Sequence, residues 1–250
     1  MAGSPMGGRN WIRRSLRKIK RALAAQGIEV SRQSISRILR KHNIYPKGNV
    51  KRLVPNPDPD RDRQFQYIQR QRFAFELMGW PVISVDTKKR ELIGPFHNRG
   101  QVWCAKATDV YMHDFPSDAI GKAIPYGVYD VQHNEGFVYL GQSADTAEFA
   151  VEAIVAWWQQ MGSKHFQGTT DILILADSGG SNGYRLRLWK QQLQAKLADA
   201  LGLTVTVAHY PRGASKWNPI EHRCFSQISQ TWAGTPLNSF DVVLDAVLKT

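Results

Sequence analysis

Three strings of this sequence each deliver a carboxylate: Pro81-Val-Ile-Ser-Val-Asp86, Asp171-Ile-Leu-Ile-Leu-Ala-Asp177 and Asn218-Pro-Ile-Glu221. The first two are apolar runs of the kind that forms buried β-strands, and each ends on an aspartate. The third places a glutamate in the first turn of a helix that opens after a proline. Two strand ends and a helix start can gather acids around divalent cations, because Mg²⁺ prefers oxygen ligands.

An aspartate at a strand end is common, since it also caps turns, so no single acid of the three is informative. Together and in this order, Asp86, Asp177 and Glu221 predict a catalytic triad that binds metal and acts on phosphodiesters. Other acids compete for such roles, and sequence alone leaves them open. The candidates for residues that contact the metal ligands without binding the metal themselves are Asp114, Asp130, His209 and His222.

The string Asp177-Ser-Gly-Gly-Ser-Asn-Gly183 matches neither the phosphate-binding loop nor the dinucleotide fingerprint. We interpret it as a tight strand-to-helix turn that lets a nucleic-acid backbone approach Asp177. The seven histidines show no spacing typical of a zinc ligand set, and the two cysteines, Cys104 and Cys224, show no paired spacing. A zinc enzyme and a disulfide framework are therefore not expected.

The positive charge of the chain is concentrated at its start. Residues 1–52 hold 14 of the 33 Lys and Arg and one of the 21 acids, Glu29. This stretch therefore carries a net charge of +13, and the remainder, with 19 basic and 20 acidic residues, carries −1. A basic module beside a near-neutral one indicates a nucleic-acid-binding domain that is attached to a second domain. No apolar run approaches the ~20 residues of a membrane helix, so we expect no membrane association.

The basic stretch also has helical periodicity. Ile12, Leu16, Ile19 and Leu23 predict one amphipathic helix, which Gly27 would end. Ser31 offers the N-cap of a second helix that runs to about residue 41, with Ile35, Ile38 and Leu39 on its inner face. Two short helices joined by a turn predict a helix-turn-helix over 1–52. The second helix would present these residues to DNA: Arg32, Gln33, Ser36, Arg37 and Arg40.

The proline-rich residues 45–60 predict a linker, and 61–78 predict a helix that leads into the second domain, so that 53–78 join the two domains. Over 79–250 apolar strand-type runs alternate with helices, which predicts an α/β domain with a mixed sheet. We expect strands at 81–87, 102–107, 127–131, 136–141, 172–176 and 204–208, and helices at 146–161, 185–200, from 219 and over 240–249. Trp157 and Trp158 are expected to pack in the core and at its rim.

Several strings resemble the DDE transposases of bacterial insertion sequences, above all the Rhodopirellula-type transposases. Beside the Asp177 and Glu221 strings, they are Ser84-Val-Asp-Thr-Lys-Lys89, His113-Asp-Phe-Pro116, Gly121-Lys-Ala-Ile-Pro-Tyr-Gly-Val-Tyr-Asp130 and Asp145-Thr-Ala-Glu-Phe-Ala150. The resemblance covers nearly the whole chain. It implies a ribonuclease H-like catalytic domain with the triad Asp86, Asp177 and Glu221. Members of that family look longer at both ends, so we expect this chain to lack sequence before its start and after Thr250.

The resemblance also implies a reaction and its partners. We expect an enzyme that uses two Mg²⁺ or Mn²⁺ ions per active site, binds double-stranded DNA at element ends and target, and forms a homo-oligomer on DNA in the bacterial cytoplasm, associated with the nucleoid. Lys88, Lys216 and Arg223 flank the acids and would contact phosphates. The alternatives are a catalytically inactive DNA-binding remnant or regulator, and a ribonuclease H-like nuclease that cuts without strand transfer.

Overall fold

The computed structural model describes residues 2–4, 7–11, 14–48 and 59–250. The chain divides into two compact units, Met1–Leu53 and Val54–Thr250. The central part of the predicted linker, residues 49–58, lies outside the described residues, and so does Ile12. Within the described ranges, none of the helices combines the length and the apolar composition that crossing a membrane requires.

The first unit contains the two predicted helices, α1 (Leu16–Ala24) and α2 (Arg32–Lys41). Serine side chains cap both: Ser15 Oγ accepts the Lys18 amide at 3.3 Å, and Ser31 Oγ accepts the Ser34 amide at 3.0 Å. Such caps satisfy amides that have no partner within the helix. Gly27 follows α1 with φ +77°, a left-handed conformation that glycine adopts without a Cβ penalty.

The first unit is not all-α as predicted, because strands β1 (Ala2–Ser4) and β2 (Gly7–Trp11) pair antiparallel. Helix α1 accordingly begins at Leu16, after the Ser15 cap, rather than at the first apolar residue of the periodic pattern. Ile38 was expected on the inner face but is 51% exposed, whereas Ile35 is buried. Two helices of nine and ten residues leave too little covered surface for both isoleucines.

The second unit is built on a six-stranded mixed sheet. Its central strand β3 (Val82–Thr87) pairs in parallel with β7 (Asp171–Ala176), which pairs in parallel with β8 (Thr204–His209). On its other side β3 pairs antiparallel with β5 (Gly121–Asp130), which also pairs with β6 (Glu135–Gly141) and the short β4 (Glu91–Ile93). The β3 and β7 sequences are nearly continuous apolar runs because both faces of the sheet are covered.

Helices cover the two faces. They are α3 (Arg61–Leu77), α4 (Ala147–Trp157), α5 (Ser163–His165), α6 (Arg187–Leu193), α7 (Ser226–Thr231) and α8 (Phe240–Leu248). Helices α4 and α6 pack on one face, where Trp157, Trp189 and Leu193 join Ile83 and Val85 in one core. The opposite face is covered by α3 and by the chain from Ile220 onward. Trp157 and Trp158 are both buried, so the prediction of packing roles for them is confirmed.

Two strand predictions differ from the structure. Residues 102–107 form no strand; they lie in the connection between β4 and β5, where Trp103 is fully exposed and packs against no core. Strand β5 begins at Gly121 rather than at 127, and includes Pro125. Its carbonyl accepts the Lys88 amide at 2.8 Å, just past the end of β3. In an antiparallel ladder the N–H and the C=O of one residue point to the same neighbouring strand. The Pro125 carbonyl points to the β3 side, so the N–H that proline lacks removes no hydrogen bond to β6.

Gly127 provides a stability test of the contact between β5 and the chain that carries Glu221. A Cβ at this position would lie 2.6 Å from both Ile220 Cδ1 and Phe225 Cε1. We expect Gly127→Ala to lower the free energy of unfolding by about 1–3 kcal/mol in urea titrations followed by tryptophan fluorescence, because overpacking forces neighbours to shift. Gly179→Ala is the matched control, since its Cβ would meet only Asp177 Oδ2 at 3.7 Å. Equal stability of the two variants would contradict this packing.

Candidate active site

The parallel register of the central strands brings two of the predicted acids together. Val85 on β3 lies opposite Ala176 on β7, so the next residues, Asp86 and Asp177, lie side by side at the carboxyl edge of these parallel strands. His209 comes to the same edge, because it lies opposite Ala176 at the end of β8. Ligand sites of open α/β sheets form at such edges, where strand ends meet and loops leave room.

The third acid is positioned by Asn218, which is fully buried. The Ser84 hydroxyl donates to Asn218 Oδ1, and Asn218 Nδ2 donates to the Val85 carbonyl at 3.2 Å. The same hydroxyl accepts the Ile220 amide at 3.2 Å. The string that ends in Glu221 is therefore tied to the strand that carries Asp86.

Glu221 itself opens a π-helical turn, Glu221–Phe225, that leads into α7. The predicted helix after Pro219 is thus present but begins with a wider turn. Such turns are frequent at functional sites, where they redirect side chains relative to a regular helix. Here the wide turn places Cys224 and Phe225 in the core while Glu221 stays partly exposed.

Each carboxylate of the three is destabilised in its ionised form. Burial, followed by repulsion from Asp177 and Glu221, raises the pKa of Asp86 from 3.8 to about 7. Burial is also the main cause of the raised pKa values of Asp177 and Glu221, and Asp177 adds to that of Glu221. These mutual effects follow from like charges held close together.

The donor set suits Mg²⁺ or Mn²⁺, which prefer carboxylate oxygens. Backbone amides orient both aspartates: Thr87 N–H donates to Asp86 Oδ1 at 2.8 Å, and Gly179 N–H donates to Asp177 Oδ1 at 3.3 Å. A bound cation would offset the repulsion that raises the three pKa values. Asp86, Asp177 and Glu221 are therefore the residues that would hold it.

The glycine-rich string after Asp177 forms the predicted tight turn between β7 and α6. Gly180 has φ +59° and opens a 3-10 turn, Gly180–Asn182. Asn182 is buried; its Oδ1 accepts the Tyr126 hydroxyl at 2.7 Å, and its carbonyl lies 2.8 Å from His209 Nε2. The turn is thus fixed on two strands and holds the segment beside Asp177 in place.

A fourth carboxylate, Asp145, was not predicted at this edge. Thr146 caps α4, which leaves the Asp145 side chain free to accept the Thr87 hydroxyl at 3.0 Å. Asp145 also contributes to the raised pKa of Asp177. The sequence places two possible N-caps, Asp145 and Thr146, next to each other. Because only one of them can cap α4, the other side chain had to have a different partner.

The predicted supporting residues separate in the structure. His209 belongs to the site: burial lowers its pKa, and it counteracts the raised pKa of Asp177. The His222 ring hydrogen-bonds the Lys216 carbonyl next to Glu221, and Asp114 lines the same cleft as Glu221. Asp130 lies opposite Ile83, three positions before Asp86 on β3, so it does not belong with the three acids. Its position follows from the antiparallel register of β5 on β3.

Two clefts border the acids. One, of about 780 Å³, is lined by Glu221 and by the basic residues Lys88, Lys89, His97 and Arg99. The other, of about 390 Å³, lies beside Asp177 and is lined by Ser178, Tyr184, His209 and Arg212 among others. Lys89 and Arg99 in the first cleft and Arg212 in the second are cationic groups next to the acids, and such groups attract a phosphate.

The predicted DNA contacts differ in accessibility. Lys88 is 8% exposed, pairs with Glu91 at 3.0 Å and lies 4.4 Å from the Trp232 ring centre, so its ammonium is largely engaged within the protein. Lys216 is exposed above the Trp217 ring, and Arg223 is exposed. On α2, Arg32, Gln33, Arg37 and Arg40 are exposed and Ser36 is half-buried.

The strand order β6-β5-β3-β7-β8, with parallel pairing of β3, β7 and β8 and antiparallel pairing of β5, is that of a ribonuclease H-like domain. The chain belongs to the family described as the Rhodopirellula transposase DDE domain, whose model matches residues 1–250. The predicted family is thereby confirmed. A comparison with curated proteins found no match.

Solved structures of Mos1 transposase share the fold. The Mos1 paired-end complex with the left transposon end matches with TM-score 0.55 at 15% identity, over 98% of this chain and 73% of that chain. The Mos1 paired-end complexes with Mn and with Mg match with TM-scores of 0.52 and 0.53 at 15% and 14% identity, over the same shares of the two chains. The predicted ribonuclease H-like fold is confirmed by this likeness.

The raised pKa of Asp86 predicts how stability depends on pH. Between its ordinary value of 3.8 and about 7, the native protein binds a proton that the unfolded chain has released. Stability therefore falls as pH rises through this range, and the full loss is present above it. At about pH 8 in EDTA we expect Asp86→Asn to raise the free energy of unfolding by roughly 2–4 kcal/mol, and at about pH 4 to change it little.

Chemical denaturation at the two pH values measures this effect. Asp118→Asn, at an exposed aspartate, is the control and should stay within about 0.5 kcal/mol of the parent at both. An Asp86→Asn variant that is less stable than the parent at the higher pH would contradict the described environment of Asp86.

Proposed function

We propose that this protein is a transposase that cleaves and joins DNA at the ends of an insertion sequence through Asp86, Asp177 and Glu221. The observation that carries the proposal is the convergence of the three acids at one sheet edge, with Glu221 tied to β3 through Asn218. Membership of the transposase family supports the same conclusion.

Asp86 and Asp177, at the ends of rigid strands, and Glu221, at the start of its helical turn, would together hold the two divalent ions. Ions so held activate an attacking hydroxyl and stabilise the leaving oxygen in phosphodiester displacement. In the first step, a water oxygen bonds to phosphorus, the bond to the 3′ oxygen breaks, and that oxygen takes up the proton. In the second step, the freed 3′ hydroxyl attacks a target phosphodiester and displaces its 3′ oxygen.

Other residues of the site would place the DNA and control charge. The basic cleft beside Glu221 would bind the backbone next to the scissile phosphate, with Arg99 and Lys89 toward the strand. His222, and after it Lys88, oppose the rise in the pKa of Glu221 and so favour its ionised form. We assign Lys88 a role in favouring the ionised form of Glu221, because its ammonium already contacts Glu91 and Trp232.

The basic first unit would bind the terminal repeats. Its second helix would be the recognition helix, since such a helix contacts DNA through exposed side chains. The exposed candidates on it are Arg32, Gln33, Arg37 and Arg40. The Mos1 structures were obtained as paired-end complexes with transposon-end DNA and with Mn or Mg. We infer by this likeness that the present chain also binds divalent metal and element ends, and pairs two ends as a homo-oligomer on the bacterial nucleoid.

Removing any acid of the triad should abolish both reaction steps. We expect Asp86→Asn, Asp177→Asn and Glu221→Gln each to lower cleavage of labelled element-end DNA by about 100-fold or more, because ion position controls the geometry of displacement. Asp118→Asn is the matched control and should retain the parent rate.

The products separate the proposal from its rivals. Strand-transfer products from the parent protein support a transposase, whereas cleavage without them identifies a nuclease. Binding that persists in EDTA without cleavage under Mg²⁺ or Mn²⁺ identifies an inactive DNA-binding protein. Unchanged activity in all three acid variants would refute the triad.

The salt dependence of DNA binding tests the first unit. The combined variant Arg32→Ala, Arg37→Ala and Arg40→Ala should reduce the slope of log K against log salt by about 1–3, because each lost phosphate contact contributes roughly 0.9. A control with three exposed basic residues of the second unit changed, Arg63→Ala, Lys164→Ala and Lys249→Ala, should leave the slope near that of the parent. Equal slopes for the two variants would count against recognition by α2.

A further inference from the structure

A second cluster of metal-binding side chains lies at the sheet edge opposite to the triad. Asp130 at the end of β5, His133 in the following turn and His165 in α5 each offer a ligand atom, and these atoms lie within 4.8 Å of one another. Asp130 pairs with Ile83 while Asp86 pairs with Gly127, so three residues of β3, about 10 Å, separate the two levels of the sheet. The cluster is therefore independent of the triad.

The Asp130 carboxylate is fully buried and held in one orientation. Its Oδ1 accepts the amides of Gln132 at 3.0 Å and His133 at 3.1 Å. Its Oδ2 faces both imidazoles, 2.8 Å from His133 Nδ1 and 3.6 Å from His165 Nδ1. The backbone thus satisfies one oxygen and directs the other at two nitrogen ligands.

Burial of the Asp130 carboxylate is favourable only where the group is hydrogen-bonded and paired. In the described part of the chain no Lys or Arg forms an ion pair with it; the ionisable side chains that lie within 4.0 Å of its carboxylate are the two histidines, which carry charge only when protonated. An unpaired buried carboxylate is strongly unfavourable. A divalent cation between the oxygen and the two nitrogens would supply the charge with both imidazoles neutral.

The ligand types and spacings suit zinc rather than magnesium. Imidazole nitrogens with a carboxylate favour Zn²⁺, whereas Mg²⁺ favours oxygen ligands alone. Bonds of about 2.0–2.1 Å in tetrahedral geometry put neighbouring ligand atoms about 3.3 Å apart, and the observed 2.8 and 3.6 Å lie on either side of that value. Small adjustments of the two rings would complete the geometry.

The surroundings of His165 and His133 also have the features of a metal site. Glu135 Oε2 lies 3.6 Å from His165 Nε2, the ring nitrogen turned away from Asp130. A carboxylate on the outer nitrogen of a ligating histidine fixes its tautomer and orientation. The buried Phe166 contacts the His133 ring edge-to-face at a centroid distance of 5.0 Å, and the two imidazoles lie 4.5 Å apart.

We propose that Asp130, His133 and His165 bind a single Zn²⁺, with water in the fourth position and Glu135 orienting His165. The ion would join the β5–β6 turn to the helical segment that ends before β7. It stabilises the side of the sheet away from the triad. This proposal does not rest on the transposase function.

Zinc binding to the full chain tests the proposal. The parent for this test carries Asp86→Asn, Asp177→Asn and Glu221→Gln, so that zinc at the triad is not counted. After dialysis against zinc and then excess Mg²⁺, elemental analysis should find stoichiometric zinc in this parent. His133→Ala or His165→Ala should weaken zinc binding by about 100-fold or more, and Glu135→Gln by about 10-fold. His113→Ala, at an exposed histidine of the β4–β5 connection, should retain the parent value.

Cobalt provides a readout of geometry. Co²⁺ in the parent should give the visible absorption of a tetrahedral nitrogen and oxygen site, and His165→Ala should lose it. Circular dichroism establishes that each variant is folded, and Glu135→Gln supplies a milder change where a histidine variant unfolds. Zinc content that is absent from the parent, or equal in the parent and all three variants, would overturn the proposal and leave protonated histidines as the partners of Asp130.

Discussion

The buried contact of Asn218 with β3 is the constraint on which the active site depends. Parallel pairing aligns Asp86 with Asp177 automatically, since both follow paired residues. Glu221 is not in the sheet. Its position relative to Asp86 is fixed by two hydrogen bonds of Asn218, which accepts from the Ser84 hydroxyl and donates to the Val85 carbonyl. Neutral groups make this contact, so it adds no charge to a site where three carboxylates already repel one another.

The same arrangement explains how the fold tolerates an unfavourable cluster. Burial raises the pKa values of all three acids, so ionising them opposes folding. The strands that carry the aspartates are covered on both faces by separate cores, which supply the opposing stability. Within the second unit, His222 and Lys88 oppose the rise in the pKa of Glu221, and His209 opposes that of Asp177.

Sequence predicted the parts of this site that depend on local pattern. Apolar runs identified β3, β7 and β8, and the rule that parallel strand ends share an edge brought Asp86 and Asp177 together. What failed depended on pairing. The antiparallel register of β5 on β3 cannot be read from the sequence, so Asp130 stayed a candidate beside the triad although its partner is Ile83. The apolar residues around Trp103 predicted a strand, but they lie in the connection between β4 and β5, and the Trp103 side chain is exposed.

Strand pairing and helix capping decide which end of the sheet Asp130 and Asp145 reach. Asp145 and Asp130 are both acids beside β-strands, and nothing in their immediate sequence says which edge each will reach. The register of β5 on β3 sends Asp130 away from the triad, toward His133 and His165, which are far apart in sequence and adjacent in space. The Thr146 cap turns Asp145 toward Thr87 and the triad instead. One register and one helix cap thus assign the two carboxylates to opposite edges, and with them two different sets of metal-binding atoms.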